Sequence, residues 1–560
     1  MRLNYLKIDR FKNLNGFAVD FDEKCEEPVT VLLGRNGSGK SNLFEALIII
    51  FRDLITGKTT VDFGYDLRYT LRGGAVAVRV FNPPAINDEN GSISSHGSFV
   101  GKENELIDAF LFTITENSVE RRITRKDIRA FLPHYLVTYY SGSSNRMEHH
   151  FFAPQLEFRN ELLAGNVIPL RPLFYAKPIH SHFALLAFFM TEDPEVTQFL
   201  SDYPWIEGLE SALFVLKRPH WAKGQKKRTD GDPRFWYAGG VVKEFLSCVY
   251  DCALAPLRLP GRIQHSFDQV ENTEFLYLYL RDLEKLRKLA RESVAFMRQK
   301  KDPQNPSVEN DSFKAAEFFK LLESTFMSDL IHETRIRVQV RHAGTLTFRE
   351  LSEGEQQLLT VVGMLRFTRD EDSLFLLDEP DTHLNPAWGM EYLNILRKHA
   401  DTGKNSHLLV ATHDPLVLTN LRRNQVTILE RDSESGTVAS YMPEEDPVGM
   451  GVQGILRNMF GLRSAVGTEI QDKLDSRARL LALGDKRNDV DENELKKLSE
   501  ELVELGFGHE FRDPDYAQFV RAMARRPEFR KPVLSASEQQ NQEQLADEIL
   551  DAILTKDKNK

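Results

Sequence analysis

One glycine-rich loop near the N-terminus constrains the fold of this chain more than any other feature. Gly34 is followed, after four residues, by Gly39, Lys40 and Ser41, and the apolar run Val29–Leu33 comes directly before the loop. Glycine lets backbone N–H groups turn toward phosphate oxygens. A helix that starts at such a loop directs its positive end at the same anion. The sequence therefore predicts a strand, a phosphate-binding loop and a helix within an α/β fold.

The loop also predicts a nucleotide and a metal ion. Lys40 is expected to neutralise the β and γ phosphates of ATP, and the Ser41 hydroxyl is expected to bind Mg²⁺. A chance glycine-rich turn is the weaker interpretation, because a strand precedes the loop and a helical pattern follows it. The residues predicted to contact ATP here are Gly34, Asn36, Gly37, Ser38, Gly39, Lys40, Ser41 and Asn42.

A second apolar run ends in two adjacent carboxylates. Leu374 to Leu377 are followed by Asp378 and Glu379. Asp378 is predicted to hold Mg²⁺ through water, and Glu379 is predicted to polarise the water that attacks the γ-phosphate. Buried strands often end in an acidic turn, so this pair gains its meaning from the phosphate loop that accompanies it.

A short segment between these two elements carries a serine and a glycine at the start of a helical pattern. Ser352, Gly354 and Glu355 lie in it. The Ser352 hydroxyl and the Gly354 amide at a helix N-terminus would form a second anion site. Ser352 and Glu355 also fit a helix capping box, and both interpretations can hold together.

In the order of these motifs the sequence resembles the ATP-binding cassette (ABC) superfamily. In that family the signature segment of one subunit contacts the γ-phosphate held by the other. The resemblance implies an ABC-type P-loop domain with a mixed β-sheet and flanking helices. It also implies that Ser352, Gly354 and Glu355 contact ATP from a second subunit, so the protein is expected to form at least a dimer.

Three further segments extend the resemblance. Residues 382–386 resemble the D-loop of the family, which lies between the two ATP-binding halves, and His413 resembles its switch histidine, which senses the γ-phosphate. The opening segment, residues 8–14, is similar to chromosome-maintenance and recombination-repair ATPases, which implies that Lys12 and Asn13 approach the nucleotide. The family's Mg²⁺-binding glutamine is not evident after the strand-like residues 135–140. Ser141 or Asn145 could replace it, or the glutamine could lie elsewhere.

The spacing of the motifs predicts the domain organisation. Residues 1–150 are expected to form the N-terminal half of the ATPase domain and residues 151–330 a mainly helical insertion, in which residues 274–301 show helical spacing. Residues 331–445 are expected to form the C-terminal half of the ATPase domain. Residues 446–560 are expected to form a helical region that docks a partner.

Composition limits the possible partners. The formal net charge of −11 argues against a surface that is basic everywhere, so contact with nucleic acid is expected to be local. The apolar runs are too short to cross a membrane, and no secretory signal is evident, which predicts a cytoplasmic location. The candidate nucleic-acid patch, whose alternative is a solvated loop, comprises Lys217, Arg218, His220, Lys223, Lys226, Lys227 and Arg228.

A softer resemblance covers more of the chain. Residues 139–142 with Asn145 and Arg146, an insertion of moderate length, and residues 454–461 resemble the PtuA-type ATPases of Septu and retron-associated anti-phage systems. That resemblance implies an HNH nuclease partner of the PtuB type, possible association with a reverse transcriptase and its msDNA, and antiviral defence. Two alternatives stay open, namely a repair ATPase that clamps DNA and a nucleotide-gated scaffold with little turnover.

Overall fold

The computed structural model gives the strands and helices named below. It describes residues 1–21, 28–57, 61–83, 98–100, 106–108, 110–164, 171–222, 231–266, 268–282, 284–292, 315–368, 371–399, 405–432, 434–462, 466–505, 519, 522–523, 526–530 and 536–557. The strands are β1 Arg2–Phe11, β2 Leu14–Asp20, β3 Val29–Leu33, β4 Tyr65–Leu71, β5 Val76–Asn82, β6 Ser98–Val100, β7 Leu106–Asp108, β8 Leu111–Glu116, β9 Val119–Arg122, β10 Tyr135–Tyr140, β11 Leu173–Tyr175, β12 Ile206–Lys217, β13 Leu257–Gln264, β14 Val270–Leu280, β15 Ile331–Val340, β16 Gly344–Thr347, β17 Ser373–Asp378, β18 Ser406–Ala411, β19 Val426–Arg431 and β20 Val438–Tyr441.

Helices lie between and after these strands. The α-helices are Lys40–Ile55, Phe152–Ala164, Ile179–Phe189, Pro194–Asp202, Gly240–Cys252, Ala315–Met327, Glu353–Thr368, Pro386–His399, Pro415–Leu418, Gly451–Asn458, Thr468–Leu483, Asp489–Glu504 and Ala536–Asp557. We refer to Lys40–Ile55 as the phosphate-loop helix and to Glu353–Thr368 as the signature helix. None of the helices in the described part of the chain is both long and apolar enough to span a membrane.

A seven-stranded sheet places the predicted motifs side by side. Its order is β11-β10-β17-β18-β3-β19-β20, and every neighbouring pair is parallel except β19 with β20. All residues of β3, β17 and β18 are buried, as expected for parallel strands covered on both faces. Because parallel strands end at the same edge, the segments after β3, β17 and β18 meet there. The predicted α/β fold with a mixed sheet is confirmed.

A second, antiparallel sheet carries the N-terminal segment. Its order is β2-β1-β4-β5-β8-β9. β1 and β2 form a tight hairpin in which Phe11 pairs with Leu14, and Lys12 in its turn has a φ of 54°. One apolar core joins this sheet to the phosphate-loop helix through side chains such as Phe17 and Phe44. This packing brings the turn at Lys12 and Asn13 next to the phosphate loop.

The middle segment contains more strand than the sequence predicted. A third sheet has the order β13-β14-β12-β15-β16, so the boundary predicted at residue 330 passes through one antiparallel sheet. The helical interpretation of residues 274–301 is wrong for residues 274–280, which belong to β14. In this strand Leu276, Leu278 and Leu280 are buried, whereas the opposite face carries tyrosines. Apolar residues on both faces hid the period of two. Residues 293–301 lie outside the described residues.

The chain divides into two compact units. The first comprises residues 1–414 and 424–442, and the second comprises residues 415–423 and 443–560. In the second unit, helices Thr468–Leu483 and Asp489–Glu504 pack against each other, and Lys473 lies 3.2 Å from Glu501. The described parts of residues 446–560 carry helices and no strand, while their predicted role in docking a partner stays a prediction.

Close packing at Gly363 yields a test of how the signature helix is held. A Cβ added at Gly363 would lie 2.6 Å from Cβ of Ala184 on helix Ile179–Phe189. Neither backbone can give way easily, so Gly363→Val should destabilise the fold by about 1–3 kcal/mol, as overpacked cores do. Urea unfolding of Gly363→Ala and Gly363→Val should show a graded loss. Wild-type stability in Gly363→Val would contradict this packing.

Candidate nucleotide-binding site

The phosphate loop adopts a backbone that only glycine fits at two positions. A Cβ at Gly34 would lie 2.4 Å from the carbonyl oxygen of Leu429, which excludes any side chain there. Gly39 has a φ of 102°, and a Cβ at this position would lie 2.9 Å from the Leu14 side chain. The phosphate-loop helix starts at the next residue. The predicted loop therefore forms between a buried strand and a helix N-terminus, the arrangement that binds phosphate groups.

Lys40 is buried at the centre of the site. Its Nζ donates a hydrogen bond to the Gly34 carbonyl oxygen at 2.7 Å and lies 3.1 Å from Nε2 of His413. Burial disfavours the charged ammonium and lowers the pKa of Lys40 to about 8, although the carboxylates of Asp378 and Glu379 oppose this shift. A phosphate group beside this ammonium would favour its charged form.

Asp378 has an oxygen without a partner. Its carboxylate accepts a hydrogen bond from the Ser41 hydroxyl, but Oδ2 is buried and has no hydrogen-bond partner among the described residues. Burial raises the pKa of Asp378 to about 6. The Ser41 hydrogen bond opposes that shift, and the neighbouring Glu379 adds to it. A hydroxyl and an unpaired carboxylate oxygen are hard oxygen ligands, so these two residues fit Mg²⁺ bound together with nucleotide phosphates.

Glu379 and His413 face each other beside Lys40. Nε2 of His413 lies 3.0 Å from Oε1 of Glu379, and the Glu379 amide donates to the Ala411 carbonyl oxygen at 2.8 Å. Burial and the nearby Lys40 charge lower the pKa of His413, against the pull of Glu379. Both side chains are accessible to solvent, since 41% of the Glu379 side chain and 34% of the His413 side chain are exposed. The structure thus brings three predicted groups together at an edge that a ligand can reach.

The hairpin turn after β1 braces the phosphate loop. Asn13 donates from Nδ2 to the Gly37 carbonyl oxygen at 3.0 Å and accepts from Nδ2 of Asn42 at 2.6 Å. Lys12 turns to the phosphate-loop helix, where its Nζ lies 2.5 Å from Oε2 of Glu45. Asn13 and Asn42 therefore lie beside the loop as predicted, while Lys12 is paired with a carboxylate.

Glu45 is the centre of a charged cluster that the sequence analysis did not find. Burial opposes its ionisation, but hydrogen bonds from His150, Lys12 and Arg146 hold the pKa of Glu45 at about 2. Arg146 also donates to Oδ1 of Asn42. The cluster links the segment after β10 to the phosphate-loop helix. A lone glutamate within an apolar helix could have indicated it, because a buried carboxylate needs partners.

Of the two candidate replacements for the family's glutamine, Ser141 is the one that contacts the acidic strand end. Its amide donates to the Asp378 carbonyl oxygen at 3.2 Å, and its hydroxyl lies 3.3 Å from the Thr382 hydroxyl. The carbonyl oxygen of Asn145 accepts from the His149 amide instead.

The signature segment forms the capping box that the sequence allowed. Oε2 of Glu355 accepts from the Ser352 amide at 2.6 Å and from the Ser352 hydroxyl at 2.7 Å, and the Glu355 amide lies 3.3 Å from that hydroxyl. A Cβ at Gly354 would lie 2.5 Å from the His383 carbonyl oxygen. Within the described residues, no hydrogen bond joins this segment to the phosphate loop of the same subunit. Contact of this segment with ATP held by a second subunit stays a prediction.

The basic patch proposed for nucleic acid is only partly described. Lys217 pairs with Asp329 at 2.7 Å, and His220 lies 3.5 Å from Glu271. Lys223, Lys226, Lys227 and Arg228 lie outside the described residues. Lys217 and His220 thus lie beside carboxylates, whereas Arg218 donates to the Ala222 carbonyl oxygen at 3.4 Å.

The strand order, the phosphate loop and the residues at the adjacent strand ends have the arrangement of an α/β ATPase domain with a phosphate-binding loop. Two family models match the chain. One, described as "AAA domain, putative AbiEii toxin, Type IV TA system", covers residues 163–419, and the other, described as "AAA ATPase domain", covers residues 1–124. Together these matches include both segments that carry the predicted site.

Two curated proteins are similar to parts of the chain. The Septu protein PtuA of Bacillus mycoides is 26% identical over 209 residues, which are 35% of this chain and 28% of that protein. The Retron Vc95 probable ATPase of Vibrio cholerae is 28% identical over 101 residues, which are 16% of this chain and 19% of that protein. The chain therefore matches less than a third of the length of either relative.

Two solved structures of Smc head domains match the chain with low TM-scores. The Smc head domain from Pyrococcus furiosus covers 79% of this chain and 96% of its own, at 12% identity and a TM-score of 0.28. The Smc head domain from Pyrococcus yayanosii covers 79% of this chain and 97% of its own, at 13% identity and a TM-score of 0.30. The strand order of the seven-stranded sheet, rather than these matches, defines the fold.

The raised pKa of Asp378 predicts how pH and Mg²⁺ act on stability. Its folded-state pKa of about 6 lies above the ordinary 3.8, so ionisation destabilises the folded chain increasingly as pH rises from 3.8 to 6. Asp378→Asn should therefore be more stable than wild type at pH 8 in EDTA, by on the order of 2–3 kcal/mol, and the difference should shrink toward pH 5.

Urea unfolding in EDTA and in Mg²⁺ would measure this effect. Mg²⁺ should stabilise the wild type at pH 8 but not Asp378→Asn. The exposed Asp268→Asn serves as the control and should show neither difference. If Asp378→Asn is less stable than the wild type at pH 8 in EDTA, the ionised Asp378 carboxylate does not destabilise the folded chain.

Proposed function

We propose that this protein is an ATP-hydrolysing subunit that closes on a second subunit around ATP and controls an associated nuclease in anti-phage defence. The observation that carries the first part is the contact of Lys40, His413 and Glu379 at the ends of parallel strands. Nε2 of His413 lies within 3.1 Å of the Lys40 ammonium and 3.0 Å of a Glu379 oxygen. This cluster combines a phosphate-binding cation with a proton acceptor that faces solvent.

Each side chain has a definite task in this proposal. Lys40 and the amides of the phosphate loop bind the β and γ phosphates, and Asn13 and Asn42 hold the loop in shape. Ser41 and Asp378 would hold Mg²⁺, which supplies charge neutralisation on the phosphate oxygens when bound. Glu379 accepts a proton from the attacking water, and His413 contacts the γ-phosphate.

The second subunit completes the site. Ser352, Gly354 and Glu355 lie at the N-terminus of the 16-residue signature helix, whose positive end favours an anion. The amides of Ser352 and Glu355 already donate within the capping box, so the Gly354 amide is the one proposed to donate to the anion. As the resemblance to the ABC superfamily implies, we propose that these residues bind the γ-phosphate held by a partner copy. Hydrolysis would then remove the group that joins the two subunits.

The biological role rests on the two named relatives and on the sequence resemblance. We propose a cytoplasmic defence complex with an HNH nuclease of the PtuB type, with a reverse transcriptase and msDNA as further partners of a retron version. Contact with nucleic acid would be local. Pull-down of the tagged chain with the products of its neighbouring genes tests this role. Recovery of neither a nuclease nor a reverse transcriptase, together with tight and salt-sensitive duplex DNA binding, would favour a DNA-clamping repair ATPase instead.

Replacing the proposed proton acceptor tests the reaction. Glu379→Gln keeps the size of the side chain but removes its basicity, so kcat for ATP should fall by about 10²–10⁴. KM should change little, because the phosphate loop is untouched. Glu371→Gln, at the opposite end of the same strand, is the matched control and should turn over ATP like the wild type. Equal turnover in Glu379→Gln and wild type would refute the assignment of Glu379.

The dimer is tested with the same variant. With Mg²⁺ and ATP, Glu379→Gln should accumulate as a particle of at least twice the 64.3 kDa chain mass in light-scattering chromatography. Adding Ser352→Ala should return it to the mass seen without ATP. Thr347→Ala removes a neighbouring capping box and should leave the ATP-induced particle intact. If Ser352→Ala and Thr347→Ala change the mass of the ATP-induced particle to the same extent, Ser352 acts only as a helix cap.

A further inference from the structure

A single buried hydroxyl holds the backbone on both sides of His413. Thr412 is fully buried, and its Oγ1 donates to Oδ2 of Asp381 at 2.5 Å. The same oxygen accepts from the Asp414 amide at 2.9 Å. The amide of Thr412 donates to the Leu32 carbonyl oxygen at 3.3 Å, next to the phosphate loop. His413 therefore sits on a turn whose preceding residue is fixed to two other segments, at Asp381 and Leu32, and to Asp414 within the turn itself.

Asp381 belongs to the turn that carries Glu379. The amide and the hydroxyl of Thr382 donate to the Glu379 carbonyl oxygen at 3.4 Å and 2.8 Å. Glu379 has a φ of 51°, a left-handed conformation that residues other than glycine seldom adopt. Such a conformation persists only where the surroundings enforce it. The hydrogen bond between Thr412 and Asp381 is a buried side-chain link from this enforced turn to the turn that carries His413, in addition to the contact of His413 with Glu379.

Burial of the Asp381 carboxylate destabilises the folded chain, which is unfavourable for a residue that serves only as a structural link. Asp381 is only 6% exposed, and its second oxygen, Oδ1, has no hydrogen-bond partner among the described residues. Burial raises the pKa of Asp381 to about 7, and the charge of Asp414 adds to this shift. An apolar pair could pack at this place without that cost. The hydrogen bond must therefore contribute something other than stability.

We propose that Asp381 and Thr412 are positioning residues for ATP hydrolysis, whose hydrogen bond fixes the carboxylate of Glu379 relative to the ring of His413. This inference rests on the proposed function, since it assumes that Glu379 and His413 act on ATP. With the bond in place, the proton acceptor and the γ-phosphate contact keep one geometry. Without it, the two turns keep the hydrogen bond between the Glu379 amide and the Ala411 carbonyl oxygen but are less firmly fixed to each other, while the phosphate loop that binds ATP is unchanged.

Loss of the hydrogen bond between Thr412 and Asp381 should lower the turnover of ATP rather than the binding of ATP. A misplacement of about 1 Å can cost on the order of 10²-fold in rate. We therefore expect kcat of Thr412→Val and of Asp381→Ala to fall about 10- to 100-fold, with KM for ATP within about threefold of the wild type. Thr412→Ser keeps the hydroxyl and Asp381→Asn keeps an acceptor oxygen, so both should retain turnover within about threefold.

Steady-state ATP turnover and thermal melting of the full chain at pH 8 would test these expectations. Thr325→Val is the matched control, because Thr325 is equally buried and its hydroxyl bonds the Leu321 carbonyl oxygen at 2.8 Å, far along the chain from the site. It should keep wild-type kcat. The double variant Thr412→Val/Asp381→Ala should be no slower than its slower parent, because both changes break the same bond.

Several outcomes would overturn the inference. Wild-type kcat in Thr412→Val and Asp381→Ala would do so, as would failure of Thr412→Ser to retain turnover, or additive losses in the double variant. If Thr412→Val fails to fold, the comparison of Asp381→Ala with Asp381→Asn decides the question. Glu379→Gln separates this inference from the function itself. Unchanged ATP turnover in Glu379→Gln would refute the proposed function. Loss of turnover in Glu379→Gln together with wild-type turnover in Thr412→Val would refute only the positioning role.

Discussion

Parallel pairing of β3 with β18, and of β18 with β17, is the constraint on which the site depends. These strands run in the same direction, so the phosphate loop, the carboxylates of Asp378 and Glu379, and His413 all lie at one edge. Residues almost four hundred positions apart, such as Lys40 and His413, thereby come into contact. Side sheets and helices then bury the strands and leave that edge open.

Burial disfavours the charged forms of two groups at this edge, Lys40 and Asp378. Burial lowers the pKa of Lys40 to about 8 and raises that of Asp378 to about 6, so both charged forms are disfavoured. Groups perturbed by burial and by specific neighbours are common at functional sites. A bound phosphate and a metal cation would each supply the missing opposite charge. These pKa shifts therefore support the proposed binding of ATP with Mg²⁺ at this edge.

Local patterns predicted the parts of the site that follow strands. The phosphate loop, Asp378 with Glu379, and His413 each lie directly after a short apolar run, and that context is visible in sequence. Glu45 and Arg146 were missed because their pairing joins a helix to a loop about a hundred residues away. Strand β14 was misread because its two faces are both apolar, which conceals the alternation that identifies a strand. Long-range pairing and burial, rather than local preference, decide these cases.

The close approach of Gly354 to the His383 carbonyl oxygen changes how substitutions in the signature segment should be judged. A methyl group at position 354 would push on a segment only four residues after Glu379, in the same polypeptide. Loss of turnover in a Gly354 variant would thus report steric damage within one chain as readily as a broken contact with a neighbour. Mixed oligomers that combine one altered and one intact chain would separate the two, since the damage would stay with the altered chain's own ATP.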